Sequence, residues 1–264
     1  MKIAVTGKGG TGKTTLAGTL ARLWAAANRR VLAVDADPDA NLASAIGLSK
    51  EQRRDLRTIA RERHLIEERT GAKLREYGPM FKLNPEVADI ADRYALRHAG
   101  VDLLVLGAVE RAAGGCACPE SVLLKALVLH LVLKRNEVVV LDMEAGIEHL
   151  GRGTAKGVDL MLAVVEPGQR SIETAQRVHD MAAALGIRRF GVVLNRSTSA
   201  SEDRDWVATE LGENCLLGVI PYDPRIAQAD RTGTSLCDLG HEDLLAPFLA
   251  LKNRLDSFDQ ELTR

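Results

Sequence analysis

Residues 2–15, KIAVTGKGGTGKTT, constrain the fold more than any other stretch: a short strand-forming run passes directly into a glycine-rich loop that ends on a lysine and two threonines. A helical pattern follows over 13–28. Six further runs share the character of the first: VLAV (31–34), VDLLVL (101–106), EVVVLD (137–142), LMLAVV (160–165), FGVVLN (190–195) and LLGVI (216–220). They are continuously apolar rather than alternating, which is how strands buried on both faces of a parallel sheet read. Helix-length segments lie between them at 119–135, 171–185 and 202–212, so strand, helix and strand repeat along the chain. The expectation is an α/β protein: a doubly wound, mostly parallel sheet of about seven to eight strands flanked by helices, in one domain over 1–264. MFKLNP (80–85) is expected to be a short edge strand. KEQRRDLRTIARERHLIEER (50–69) is expected to be a solvated helix with opposite charges at i, i+4 spacing.

Composition narrows the function classes. The formal net charge is −1 with acids and bases interspersed, and aromatics are 3% of the chain. Neither non-specific nucleic-acid binding nor base stacking suits that surface. The opening run lacks the long apolar core of a secretory signal, and no apolar stretch approaches the ~18 residues of a membrane span. The expected location is therefore cytoplasmic, with no membrane and no nucleic acid among the partners. Four cysteines in a chain of 264 residues make no disulfide framework, and a close pair in a reducing compartment points to metal binding or reactivity.

The loop satisfies G-x-x-x-x-G-K-[ST] from Gly7 through Gly12, Lys13 and Thr14, in the strand-to-helix setting that motif requires. The pattern predicts a phosphate loop of the P-loop NTPase kind. Glycines let successive N–H groups from Gly9, Gly10, Thr11, Gly12, Lys13, Thr14 and Thr15 converge on the phosphates of ATP or ADP, and the helix behind adds its positive end. Lys13 is placed to neutralise the β- and γ-phosphates, and Thr14 to offer its hydroxyl to Mg2+. VDADPDANL (34–42) brings carboxylates to the end of the second strand, where they can hold a metal-bound or attacking water. Of these, Asp35 and Asp39 also read as caps or turn formers. VVVLDMEAG closes on Asp142, which reads as the Walker B position expected to hold magnesium through water, and an N–H of the Gly146 loop is placed to sense the γ-phosphate.

AAGGCACPESVLL (112–124) carries Cys116 and Cys118 around a single alanine. Pro119 marks a first helical position, so Cys118 falls near an N-cap, and a helix N-terminus lowers a thiol pKa. In extended chain both sulfurs face one side. They still amount to half of a four-ligand set for zinc or nickel. Cys215 and Cys237, each isolated, read as small packing residues.

Lys8, inside K-G-G-x-G-K-T, resembles the signature lysine of the deviant Walker A ATPases, a group that includes nitrogenase iron protein, the arsenite-pump ATPase and the Par and Min positioning ATPases. That resemblance implies a homodimer closed by ATP, with Lys8 reaching the partner's nucleotide. It also implies that Asp37, before proline, orients water and sits in the magnesium set, that Asn195 recognises adenine, and that Pro221 and Tyr222 border the purine. An isologous two-fold would bring two CxC pairs together as a four-thiolate site. VDADPDANL, GCACPE and VVVLDMEAGIEHLGRG, taken with the phosphate loop, resemble the CooC-type ATPases, maturation factors for nickel-containing carbon monoxide dehydrogenase. The resemblance implies ATP-dependent nickel insertion into that enzyme's active-site cluster, with Cys116 and Cys118 holding Ni2+ or Zn2+ at the dimer interface and the apo-enzyme as client. The alternative is an iron–sulfur scaffold, carrier or electron-transfer ATPase of the same superfamily, since four thiolates also suit a four-iron cluster. The single-residue spacing counts against it. A membrane-positioning ATPase needs a basic amphipathic tail, and LLAPFLALKNRLDSFDQELTR (244–264) mixes acids with bases.

Overall fold

The computed structural model describes residues 1–37, 40–72, 80–107, 118–134, 137–144, 157–187 and 189–262, apart from the side chains of 133–134 and 260–262. Asp39, Cys116 and Gly146 lie outside the described residues.

The seven apolar runs, joined by β3, form one eight-stranded sheet: β1 (Lys2–Gly7), β2 (Val31–Asp35), β3 (Leu96–His98), β4 (Val101–Val105), β5 (Val138–Asp142), β6 (Leu160–Val165), β7 (Phe190–Ser197) and β8 (Leu216–Pro221). Their order is β3-β4-β2-β5-β1-β6-β7-β8, and every pair is parallel except β3 with β4. Register sets Asp35 beside Asp142 and Val5 beside Asp142. The carboxylates at the ends of β2 and β5 therefore emerge next to the loop that follows β1.

Helices cover both faces. Alternate strand residues point to opposite sides, so Ile3, Val5, Val31 and Ala33 join one core while Ala4, Leu32 and Val34 join the other. The first core is closed by α1 (Lys13–Ala26), through Leu16, Leu20 and Trp24, and by the C-terminal helix, whose Phe248, Leu251 and Leu255 are buried. The Trp24 Nε1–H donates to Asp256 Oδ1 at 2.8 Å and ties those two helices together. The short α2 (Leu42–Ala45) packs on the same face. The second core takes Leu65 and Ile66 of α3 (Arg63–Thr70), Ile90 of α4 (Ile90–Tyr94), Leu123, Leu127 and Leu131 of α5 (Pro119–Lys134), and Val178 of α6 (Gln169–Leu185). The remaining helices among the described residues are α7 (Ala200–Leu211), α8 (Pro224–Thr232) and α9 (Glu242–Leu262).

Two expectations fail. Residues 80–85 form no strand, and Met80 and Leu83 are among the most exposed apolar side chains. The edge strand is instead β3, turned back onto β4 through Ala99 and Gly100, both at positive φ as a two-residue hairpin loop of type I′ requires. Nor do residues 50–69 form one helix: two 3-10 turns, Gln52–Asp55 and Ile59–Arg61, precede α3. Thr58 bridges to Val105 and the Ala60 N–H donates to the Leu106 carbonyl, so the backbone is drawn onto the end of β4 while Ile59 is buried.

Candidate nucleotide site

The loop after β1 is shaped by its own backbone. Gly7 closes β1 at φ 145°, and a Cβ there would lie 2.4 Å from the Val164 carbonyl oxygen. The Lys8 carbonyl accepts from the Thr11 amide at 3.3 Å and the Thr11 hydroxyl at 2.9 Å, and the nearly buried Lys13 Nζ lies 3.5 Å from the same oxygen. α1 begins at Lys13 with no side chain capping its first amides, which leaves those donors and the helix dipole directed into the loop. Gly9 and Gly10 face open space, and Lys8 is exposed.

A cleft of about 600 Å³ opens over this loop. Gly9, Gly10, Gly12, Lys13, Thr14 and Thr15 line one side together with Asp37. The lining also includes residues that no sequence motif singled out: Arg53 before α3, Arg196 near the end of β7, and Arg231 and Thr234 around the end of α8. The start of α8 was legible in principle, because Asp223 before Pro224 is an N-cap signature, and the Asp223 Oδ1 accepts the Arg225 N–H at 2.8 Å.

Two buried carboxylates stand at the strand ends behind the cleft. Both Asp142 oxygens are buried and, among the described residues, no group meets them in full hydrogen-bond geometry, although the Thr14 hydroxyl is close enough to act on the carboxyl. Burial pushes its carboxyl up to about 6, the Thr14 hydroxyl and Lys13 ammonium pull it back, and Asp37 adds to the rise. Asp35 is fully buried and raised to about 7, first by burial and then by Asp142. Its oxygens accept the Leu42 N–H at 2.9 Å and the Asp37 N–H at 3.3 Å, so of the two readings open for it, the turn-forming one describes its contacts.

Asn195, Pro221 and Tyr222 meet at the ends of β7 and β8, where Ser197 pairs with Pro221 and its carbonyl accepts the Tyr222 N–H at 2.8 Å. None of the three belongs to the cleft wall just described. The Asn195 amide faces the phosphate loop: Nδ2 donates to the Thr11 carbonyl at 2.8 Å, and Oδ1 accepts the Arg196 N–H at 3.0 Å. A register shift follows Asn195, with Arg196 at φ 57° and its guanidinium paired to Glu166.

Cys118 caps α5 as expected. Its carbonyl accepts the Val122 N–H at 3.1 Å and its Sγ accepts the Ser121 N–H at 3.4 Å. The expected fall in thiol pKa is corrected, however. Burial holds it above the ordinary value, neighbouring Glu120 adds to that, and the Ser121 amide offsets only part. Among the described residues no three His, Cys, Asp or Glu side chains cluster as a metal site. No helix among them is long and apolar enough to cross a membrane.

Residues 2–236 match the family model described as the CobQ/CobB/MinD/ParA nucleotide binding domain. The carbon monoxide dehydrogenase accessory protein CooC of Rhodospirillum rubrum is 47% identical over 239 residues, 90% of this chain and 90% of that protein. An uncharacterized ATP-binding protein of Methanocaldococcus jannaschii is 46% identical over 235 residues, 88% of this chain and 90% of its own. Among solved structures, the MinC:MinD complex of Aquifex aeolicus matches with a TM-score of 0.70 at 20% identity, covering 97% of this chain and 95% of that one. MinD of Pyrococcus horikoshii, complexed with Mg-ADP, matches at 0.64 and 23% identity, covering 97% and 96%. Those structures bear on the fold alone.

Proposed function

The chain belongs to the CobQ/CobB/MinD/ParA nucleotide-binding family and is an ATPase, and from that premise we propose a nucleotide-dependent dimerising metallochaperone that assists nickel insertion into the active-site cluster of carbon monoxide dehydrogenase. The observation that carries this reading is the 47% identity, over nine-tenths of both chains, with an accessory protein of that enzyme. The CxC pair at Cys116 and Cys118 adds a soft ligand set suited to the cargo.

In this reading the N–H groups from Gly9 to Thr15 cradle the phosphates of ATP or ADP, and Lys13 exchanges the Lys8 carbonyl for phosphate oxygens. Mg2+ fits the residues present, because the paired buried oxygens of Asp142 are left unsatisfied among the described residues and stand near the Thr14 hydroxyl. Thr14, Asp37 and Asp142 would hold it, and when bound it supplies neutralisation of phosphate charge. Asp37 orients the attacking water, Asn195, Pro221 and Tyr222 border the adenine, and exposed Lys8 extends to the nucleotide of a second copy. Cys116 and Cys118 from each of two protomers hold nickel, or zinc, as cargo, and apo carbon monoxide dehydrogenase is the client. Metal uptake displaces the Cys118 proton, so loading strengthens as pH rises.

The test is an anaerobic nickel titration of the metal-stripped protein beside a Cys116→Ser, Cys118→Ser double variant, followed by thiolate charge-transfer absorption. Binding near one nickel per two chains, lost in the variant, is the expected result. Absence of thiolate-dependent binding sinks the metallochaperone reading. A brown, iron-containing preparation before stripping replaces it with an iron–sulfur carrier.

A further inference from the structure

Asp35 is fully buried at the end of β2, and the roles assigned above leave it unused. Its side chain nevertheless spans the loop that carries Asp37: Oδ1 accepts the Asp37 N–H at 3.3 Å and Oδ2 accepts the Leu42 N–H at 2.9 Å. One carboxylate thus holds the amides of both Asp37 and Leu42. The anchor itself is fixed, because β2 is paired on both sides and the Asp35 carbonyl accepts the Leu106 N–H at 2.9 Å. Next to it, the Ala36 N–H donates to the Asp142 carbonyl at 2.9 Å. When ionised, a carboxylate at this position offers two acceptors and no donor, whereas an asparagine would turn an NH2 toward one of the two amides at any pH.

We propose that Asp35 is a positioning residue for ATP hydrolysis: by anchoring the amides of Asp37 and Leu42 it seats the Asp37 side chain over the phosphate cleft. The inference rests on Asp37 being the group that orients water. Phosphate binding belongs to residues 9–15, on a different loop, so a slackened 37–42 segment leaves ATP bound and misplaces only Asp37. The loss then falls on kcat and spares KM.

Steady-state Mg-ATPase measurements on full-length Asp35→Asn, Asp37→Ala and the double variant test it. Asp35→Asn is expected to lower kcat on the order of 100-fold, with KM for ATP within about threefold of wild type. Added to Asp37→Ala it should change nothing further, because both act through one side chain. A general loosening of the fold would instead raise KM and slow the Asp37→Ala protein again, and that outcome overturns the proposal. Wild-type kcat in Asp35→Asn beside an inactive Asp37→Ala also overturns it while leaving the role of Asp37 intact. Wild-type kcat in Asp37→Ala removes that role itself. If Asp35→Asn does not fold, hydrogen exchange on the wild-type protein with Mg2+ and a non-hydrolysable ATP analogue decides. Slow exchange at the Asp37 and Leu42 amides supports the anchor, and exchange at open-loop rates rejects it.

Discussion

Asn195 Nδ2 occupies the space that a side chain at residue 12 would need: a Cβ on Gly12 would come within 2.4 Å of it. The same nitrogen donates to the Thr11 carbonyl, joining the end of β7 to the phosphate loop across 184 positions of sequence. The amide and the glycine are therefore one fitted pair, and each residue has a separable consequence when changed.

Asn195→Ala removes the donor and leaves the Thr11 carbonyl without it, at a cost of about 1–3 kcal/mol to the loop geometry. Calorimetric titration should show ADP and ATP weakened alike, by roughly tenfold. Weakened ATP with unchanged GTP binding would instead assign the amide mainly to the base.

Gly12→Ala forces a left-handed residue at φ 92°, costing about 1–2 kcal/mol before the clash with Asn195 is counted. Its melting temperature should fall and nucleotide binding should be lost. Gly9→Ala places its methyl in open space, so its melting temperature should match wild type and any loss should appear only in nucleotide affinity. Equal melting temperatures for the two variants would contradict the packing described around Gly12.

Asp37→Ala should retain ATP binding and lose hydrolysis by about 100-fold or more. Size-exclusion chromatography with Mg-ATP should then show a persistent dimer where the wild-type protein returns to monomer. A monomeric, fully active Asp37→Ala protein rejects both the catalytic and the dimer assignments.

Asp35 and Asp142 carry pKa values raised to about 7 and about 6, against 3.8 for an ordinary aspartate. A group with a higher pKa folded than unfolded binds its proton more tightly in the native state, so its contribution to stability is lost as pH rises through that window. The nucleotide-free protein in EDTA should therefore melt higher at about pH 5.5 than at about pH 8, and Asp35→Asn should flatten the difference. Asp203, Asp223 and Asp243 are held below the ordinary range, chiefly by side-chain hydrogen bonds, and withdraw stability only at more acid pH. Calorimetric scans at the two pH values check the sign.

The strands were legible because a doubly covered strand leaves an unbroken apolar run, and all seven such runs became strands. β3 was not, since Leu96, Arg97 and His98 sit at an edge where burial imposes no pattern, and Ala99 does not announce a positive φ. In 50–69 the charges concealed Ile59, Leu65 and Ile66, which are buried and decide where the backbone goes. At the site, Lys13, Thr14 and Asp37 line one cleft and Asp142 stands behind it, and each falls in a stretch whose motif is visible in the sequence. Motif spacing could not rank Asp35 against its neighbours, because what separates them is which amides a buried carboxylate meets. Pro119 made the Cys118 cap readable. The direction of its thiol pKa was not readable, because that depends on how much of the sulfur tertiary packing covers.

Lys13 also has a partner inside its own loop, on the Lys8 carbonyl that the Thr11 hydroxyl shares. A lysine satisfied in this way keeps its rotamer without outside help, and the surrounding N–H groups keep their convergence with it. Nucleotide entry is then a swap of one oxygen for another against a standing mould, and little ordering entropy is charged to binding. Each turnover can begin from the same cast, with the loop needing no separate folding step before phosphate arrives.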